Sequence, residues 1–199
     1  MSQASLTVQG HQKTINVAKF SPSDKLIASA SQDKTIKIWT AKELKLLTTL
    51  KGHRAGIWDV AFSGVEKQLV SVSGDKLIKV WDLNDPQGTC IATFQGHNDQ
   101  IVKAIWLNAG LQVASASVDG VVKIWNIKKQ QCVNTFEMSE NKVWAMDLFE
   151  EIEEVEGDED DEIQYKSNIQ IITGGADSTL KVWQDYTLQQ ETEDKEQEL

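Results

Sequence analysis

Polar and apolar residues alternate along this chain in steps of two. Lys34-Thr35-Ile36-Lys37-Ile38-Trp39 has the pattern of a half-buried strand, not the 3.6-residue rhythm of a helix. Leu26 to Ser31 reads as a second strand and Ile15 to Phe20 as a third. Leu46 to Leu50, just before a Gly-His pair, reads as a fourth.

This set of strands repeats. Gly10-His11 recurs as Gly52-His53 and Gly96-His97, at spacings of 42 and 44. Asp33, Asp75 and Asp119 keep those spacings, and so do Trp39, Trp81 and Trp125. A fourth copy supplies Asp177 and Trp183, displaced by 58, which is 14 more than the spacing before it. Four short strands in a repeat of ~40–45 residues predict a β-propeller blade. The expected domain is four blades over 1–184, with repeats at roughly 10–51, 52–95, 96–137 and 138–184. The extra length falls at an acidic loop insert near 150–165, between the first two strands of the fourth repeat. Residues 185–199 read as a polar acidic tail, disordered or starting a helix.

Ser5 to Gln9 reads as the outer strand of a blade whose other strands are missing, and no outer strand follows Trp183. The expected fold is therefore all-β, an open arc of four blades from a larger, seven-bladed propeller. A closed four-bladed ring ranks second. An open arc bares an apolar blade face at each end, so the chain alone is expected to self-associate.

Each repeat carries residues able to form one hydrogen-bonded chain. The sets are His11, Ser29, Asp33 and Trp39; His53, Ser71, Asp75 and Trp81; and His97, Ser115, Asp119 and Trp125. Ser31, Ser73 and Ser117 lie two residues on and compete for the serine role. In the fourth repeat Asp177 and Trp183 remain, Met138-Ser139 replaces Gly-His, and Gly174 is expected at the serine position. Ser, His and Asp together resemble a hydrolase triad. Three copies at equivalent positions instead imply a structural network that satisfies a buried indole. No catalytic residue, metal site or cofactor is expected, and GxSxG, P-loop, HExxH and dinucleotide-loop motifs are missing.

Charge changes the picture only locally. Ten acidic residues and no basic ones lie between Glu150 and Glu162, without the spacing of a calcium loop. Residues 1–149 carry 17 Lys and Arg against 13 Asp and Glu. The net −10 thus comes from one insert and the tail, and excludes neither a nucleic-acid-rich setting nor its opposite. No apolar run approaches the ~20 residues of a membrane span, and no membrane partner or small-molecule substrate is expected. Cys90 and Cys132 form no ligand pattern and read as free intracellular thiols.

Finer stretches narrow the field. They are Lys51-Gly52-His53-Arg54-Ala55-Gly56-Ile57-Trp58-Asp59-Val60, Asn141-Lys142-Val143-Trp144-Ala145-Met146, and Asp177 through Lys181-Val182-Trp183-Gln184-Asp185-Tyr186 to Thr187. In these the chain resembles the WD40-repeat family of transducin beta-like protein 3, equivalent to U3 small nucleolar RNA-associated protein 13. The resemblance spans essentially the whole chain and maps to the last four blades of the family's second propeller. It implies a scaffold in the nucleolar small-subunit processome, supporting pre-rRNA processing. The implied partners are other WD40 and helical-repeat proteins of a pre-ribosomal complex, with at most peripheral RNA contact. The acidic insert and Met138-Ser139 depart from the family's pattern. The alternative is another intracellular WD40 adaptor, such as a ubiquitin-ligase substrate receptor or a signalling scaffold.

The residue after the first apolar position of each inner strand is expected at the mouth of the central channel. These are Asn16, Trp58, Val102 and Trp144, with Arg54 beside them. Aromatic residues at such places often anchor interfaces. Lys37, Lys79, Lys123 and Lys181 recur with the blades and read as solvated strand positions, not an RNA groove.

Overall fold

A computed structural model describes residues 6–65, 67–107, 110–138, 142–155 and 164–184. Blade 1 contains β1 (Ile15–Phe20), β2 (Leu26–Ser31), β3 (Thr35–Thr40) and β4 (Leu46–Lys51). Blade 2 contains β5 (Ile57–Phe62), β6 (Gln68–Ser73), β7 (Leu77–Asp82) and β8 (Thr89–Gln95). Blade 3 contains β9 (Ile101–Leu107), β10 (Gln112–Ser117), β11 (Val121–Asn126) and β12 (Gln131–Glu137). Blade 4 contains β13 (Val143–Val155), β14 (Gln164–Gly175) and β15 (Leu180–Gln184). Each blade is an antiparallel meander in chain order, four-stranded in the first three blades and, among the described residues, three-stranded in the fourth. The inner strands neighbour one another in sequence order, β1 to β5 to β9 to β13, and the blades form an open arc.

The core lies between blades. Ile36 and Ile38 of blade 1, with Ala28, Ala30 and Leu50, pack on Ile57, Val60, Leu69 and Trp81 of blade 2. The same joint recurs where Val72, Ile78, Val80 and Phe94 meet Ile101, Val113 and Trp125. It recurs again where Ala114, Val122 and Ile124 meet Met146, Ile171 and Trp183. Strand alternation causes this. Ile36 and Ile38 point to one face, while Lys37 and Trp39 point to the other. At each of the three joints the earlier blade thus shows an aliphatic face and the later blade a tryptophan face.

The acidic insert differs from a simple loop. The backbone ladder of β13 and β14 runs unbroken from Ala145 opposite Gly174 to Val155 opposite Gln164. Glu153 stands opposite Lys166 and Glu154 opposite Tyr165. The backbone pairing thus carries both strands through the first carboxylates of the insert. Residues 156–163 of the insert lie outside the described residues, as do Ser5, Ser139 and the tail 185–199. The expected outer strand at Ser5 to Gln9 is not seen over residues 6–9, which pair with no strand.

One polar pin crosses three blades. Asp59 of β5 is buried, and its Oδ1 lies 2.9 Å from Lys19 Nζ of β1. Its Oδ2 lies 3.3 Å from Lys103 Nζ of β9 and accepts the Ala104 N–H at 3.3 Å. Asp59→Ala leaves two ammonium groups and a buried N–H without an acceptor. The lysines are a third exposed and partly resolvate, so the cost is about 2–3 kcal/mol, below the 3–5 of a fully buried pair. A urea titration checks this, and a change under about 0.5 kcal/mol contradicts it.

Candidate interaction surface

Trp81, Trp125 and Trp183 of the third strands fill the joints between blades, Trp39 is buried at the equivalent position, and each indole N–H then needs an acceptor. Trp39 Nε1 donates to Ser29 Oγ at 2.8 Å, as Trp81 does to Ser71 and Trp125 to Ser115, both at 2.8 Å. Each serine hydroxyl in turn meets a histidine Nε2, at 2.7 Å for His11 and 2.8 Å for His53 and His97. Nδ1 faces an aspartate Oδ2, at 2.9 Å for Asp33 and Asp75 and 3.3 Å for Asp119. One consistent direction runs through the chain. Indole N–H donates to serine, serine O–H to Nε2, and Nδ1–H to the carboxylate. Ser71 and Ser115 are fully buried and already hold an indole donor, so the triad-like grouping offers no hydroxyl to a substrate.

Ser31, Ser73 and Ser117 do a different job. Ser73 Oγ donates to Gly56 O at 3.0 Å and accepts the Asp75 N–H at 3.2 Å. Ser31 and Ser117 make the same kind of bonds to Lys13 O, Gln100 O and their own aspartates. In blade 4 the serine position is filled by Thr173, not Gly174, and Trp183 Nε1 donates to Thr173 Oγ1 at 2.9 Å. Counting ten residues back from Trp183 finds it, as the same count finds Ser29, Ser71 and Ser115. Without a histidine, Asp177 Oδ2 pairs with Lys181 at 3.1 Å.

The aspartates also build the turns that carry the rim. Oδ1 of Asp33, Asp75, Asp119 and Asp177 accepts the N–H two residues on, at 3.0 to 3.1 Å. The residue between is left-handed in every blade: Lys34 (φ 71), Lys76 (φ 67), Gly120 (φ 83) and Ser178 (φ 60). Lys34 and Lys76 are exposed on these turns.

Asn16, Trp58, Val102 and Trp144 share a feature invisible in the sequence. The register of β1 shifts between Ile15 and Val17, and that of β5 between Ile57 and Asp59. β9 and β13 shift at the same place, around Val102 and between Val143 and Ala145. Each candidate therefore sits in a β-bulge, a device that re-aims a side chain at a strand end. Their fates differ. Asn16 Nδ2 donates to Ile57 O at 2.7 Å and ties blade 1 to blade 2. Val102 is half-buried. Trp58 leans on the next blade, its Nε1 donating to Gln100 Oε1 at 3.1 Å, yet stays 37 % exposed. Trp144 is 53 % exposed, with Lys142 Nζ 5.9 Å from its ring centroid. Arg54 is exposed, and its backbone N–H is held by Asp75 Oδ2 at 2.8 Å. Lys13, Lys34, Arg54, Lys76 and Lys142 lie on the same loops, and the tetrad carboxylates nearby are already engaged. Among the described residues the rim carries these five basic side chains and two indoles, against Asp99 outside the tetrads. Lys79 and Lys123 donate to Thr93 and Thr135 Oγ1 at 2.9 Å, and Lys37 lies 5.7 Å from the Trp39 ring centroid. Among the described residues, no His, Cys, Asp and Glu side chains cluster to hold a metal.

The profile of the family described as WD domain, G-beta repeat matches residues 2–40, 44–82 and 88–126. The chain belongs to the WD-repeat family. Its fourth copy lies outside the three matched stretches. A 45-residue stretch of this WD-repeat chain is 47 % identical to transducin beta-like protein 3 of Rattus norvegicus, covering 23 % of the chain and 6 % of that protein. The Homo sapiens protein is 44 % identical over 45 residues, with the same shares. The match thus spans a small fraction of these relatives. The crystal structure of the computationally designed Ika4 protein superposes with a TM-score of 0.71 at 26 % identity, covering 92 % of this chain and 99 % of that one.

The network fixes the acid response. Burial opposes the charge of Asp75, but bonds from His53, Arg54 N–H and Leu77 N–H outweigh it and hold the pKa at about 2. Its stabilisation is complete above the ordinary value of 3.8 and is lost as pH falls through about 2. Burial lowers the pKa of His97 below its ordinary 6.5, partly offset by Asp119. The unfolded chain therefore takes that proton first, and stability declines once pH falls below about 6.5. Melting temperature should hold from pH 8 to 7, decline below about 6.5, and fall again below about 4. A flat profile down to pH 4 contradicts the buried-imidazole account.

Proposed function

We propose that this WD-repeat chain is a non-catalytic scaffold of the nucleolar small-subunit processome, supporting pre-rRNA processing and small ribosomal subunit biogenesis. The observation that carries the reading is the local likeness to transducin beta-like protein 3, at 47 % identity over 45 residues. In this reading the partners are other WD40 and helical-repeat proteins of a pre-ribosomal complex, the site of action is the nucleolus, and RNA contact is peripheral. The bulge residues Trp58 and Trp144, with Arg54 beside them, form the contact surface, and Asn16 and Val102 act as its framing positions. The basic loops suit an acidic partner segment, with the two indoles as its apolar anchors.

Depleting the protein should lower small-subunit ribosomal RNA and spare large-subunit RNA, and a tagged copy should concentrate in the nucleolus. Trp58→Ala combined with Trp144→Ala should keep the melting temperature but weaken pre-ribosomal association by about 30-fold or more, the equivalent of about 2 kcal/mol. Equal loss of both RNAs, or an excluded nucleolus, overturns the processome reading and leaves the WD40 adaptor.

A further inference from the structure

The joint between blades 2 and 3 fixes one side chain of the rim. Both of these blades have a neighbour on either side. Just before the turn aspartates stand Gln32, Gly74 and Val118, and three residues after the loop histidines stand Thr14, Gly56 and Gln100. The two positions meet across a joint. Between blades 1 and 2 the larger residue is on the earlier blade, and a Cβ at Gly56 would collide with the Gln32 carboxamide. Between blades 2 and 3 the sizes are reversed. A Cβ at Gly74 would lie 3.4 Å from Gln100 Oε1, 3.4 Å from Trp58 Nε1 and 3.5 Å from Ala55 Cβ.

The Trp58 indole and the Gln100 carboxamide thus meet over a residue without a side chain. Trp58 Nε1 donates to Gln100 Oε1 at 3.1 Å. Both ends of this bond stand on anchored backbone. Gly56 O accepts the Gly74 N–H and the Ser73 hydroxyl, both at 3.0 Å, beside the register shift at Trp58. Gln100 O accepts the Val118 N–H and the Ser117 hydroxyl, both at 2.9 Å. Gly74 is not left-handed, so its backbone admits a larger residue, as at Gln32 and Val118.

We propose that Gly74 and Gln100 are positioning residues of the rim: they hold the Trp58 indole in one orientation with its N–H engaged, so that a partner meets an apolar ring and not a hydrogen-bond donor. This rests on the reading of Trp58 as a contact residue. An indole at an interface offers an apolar body and a polar handle. Here the chain itself takes the handle, while the residue stays 37 % exposed. The ammonium on the neighbouring turn is engaged as well, since Lys76 Nζ donates to Asn98 O at 2.8 Å. Arg54 is exposed on the loop that leads to Trp58. The partner segment that fits is acidic and sets an aliphatic side chain on the indole. A ring fixed before binding also spares the complex the cost of ordering it.

The test uses the full chain labelled at its indole nitrogens, with the Trp58 resonance assigned by its loss in Trp58→Phe. In the unaltered chain the Trp58 N–H should show the heteronuclear NOE of buried Trp81, not that of a mobile side chain. Gln100→Ala should lower it to the mobile value, and Gln100→Glu, which keeps an acceptor, should restore it. Gly74→Val should shift the Trp58 resonance and lower its NOE while the Trp81 and Trp125 resonances hold their positions. Purified small-subunit precursor particles are the probe for association. Trp58→Ala should weaken it about tenfold, and Trp58→Phe and Gln100→Ala about threefold each, with no further loss when those two are combined. Two results overturn the proposal: a Trp58 NOE that Gln100→Ala leaves unchanged, or a loss in Trp58→Phe as large as in Trp58→Ala. Unchanged association in Trp58→Ala instead overturns the contact reading, and the NOE of the free chain then still decides whether Gly74 and Gln100 position the ring.

Discussion

The tryptophan of each third strand is the interaction on which the fold depends. A meander of four short strands cannot bury both its faces alone, so a neighbouring blade must cover them. The ring of Trp81 or Trp125 fills that joint, and filling it removes an indole N–H from water. An unsatisfied buried donor costs about 1–3 kcal/mol. Ser71 or Ser115 supplies the acceptor, the histidine orients the serine, and the aspartate orients the histidine. The aspartate then caps the turn at the blade end. One apolar contact therefore dictates the identity of three polar residues and the shape of a loop.

This dependence explains why so much of the fold was legible in the sequence. Strands, joints and tetrads recur at fixed spacings, and recurrence reveals them without knowledge of the folded chain. What does not recur was missed. Asp59 pairs with Lys19 two positions further along its own strand and with Lys103 at its own position, so no repeat comparison exposes the pin. Thr173, not Gly174, lies ten residues before Trp183, the spacing of the serines in the other blades, and the insert changes every spacing measured across it. The charge of the acidic segment suggests a loop, while the backbone ladder continues through Val155 opposite Gln164. The bulges were invisible because they arise in pairing between strands, where a serine hydroxyl and a backbone N–H share one carbonyl, as Ser73 and Gly74 share Gly56 O.

Constancy and variation divide the labour within each blade. His, Ser, Asp and Trp are the same in the first three blades and hold the joints. The bulge residue changes from Asn16 to Trp58 to Val102 to Trp144, and lies outside the tetrads that hold the joints. The same backbone device thus presents an inter-blade tie in blade 1 and open indoles in blades 2 and 4.

Exchange of the indole N–H protons measures the central claim directly, because each of the seven tryptophans reports its own site. If the joint and its serine acceptor hold the blade, Trp81 and Trp125 exchange slowest, Trp183 in the blade without a tetrad histidine exchanges faster, and Trp144 exchanges at the rate of a free indole. Equal protection of Trp81, Trp125, Trp183 and Trp144, or faster exchange at Trp81 than at Trp183, contradicts the account.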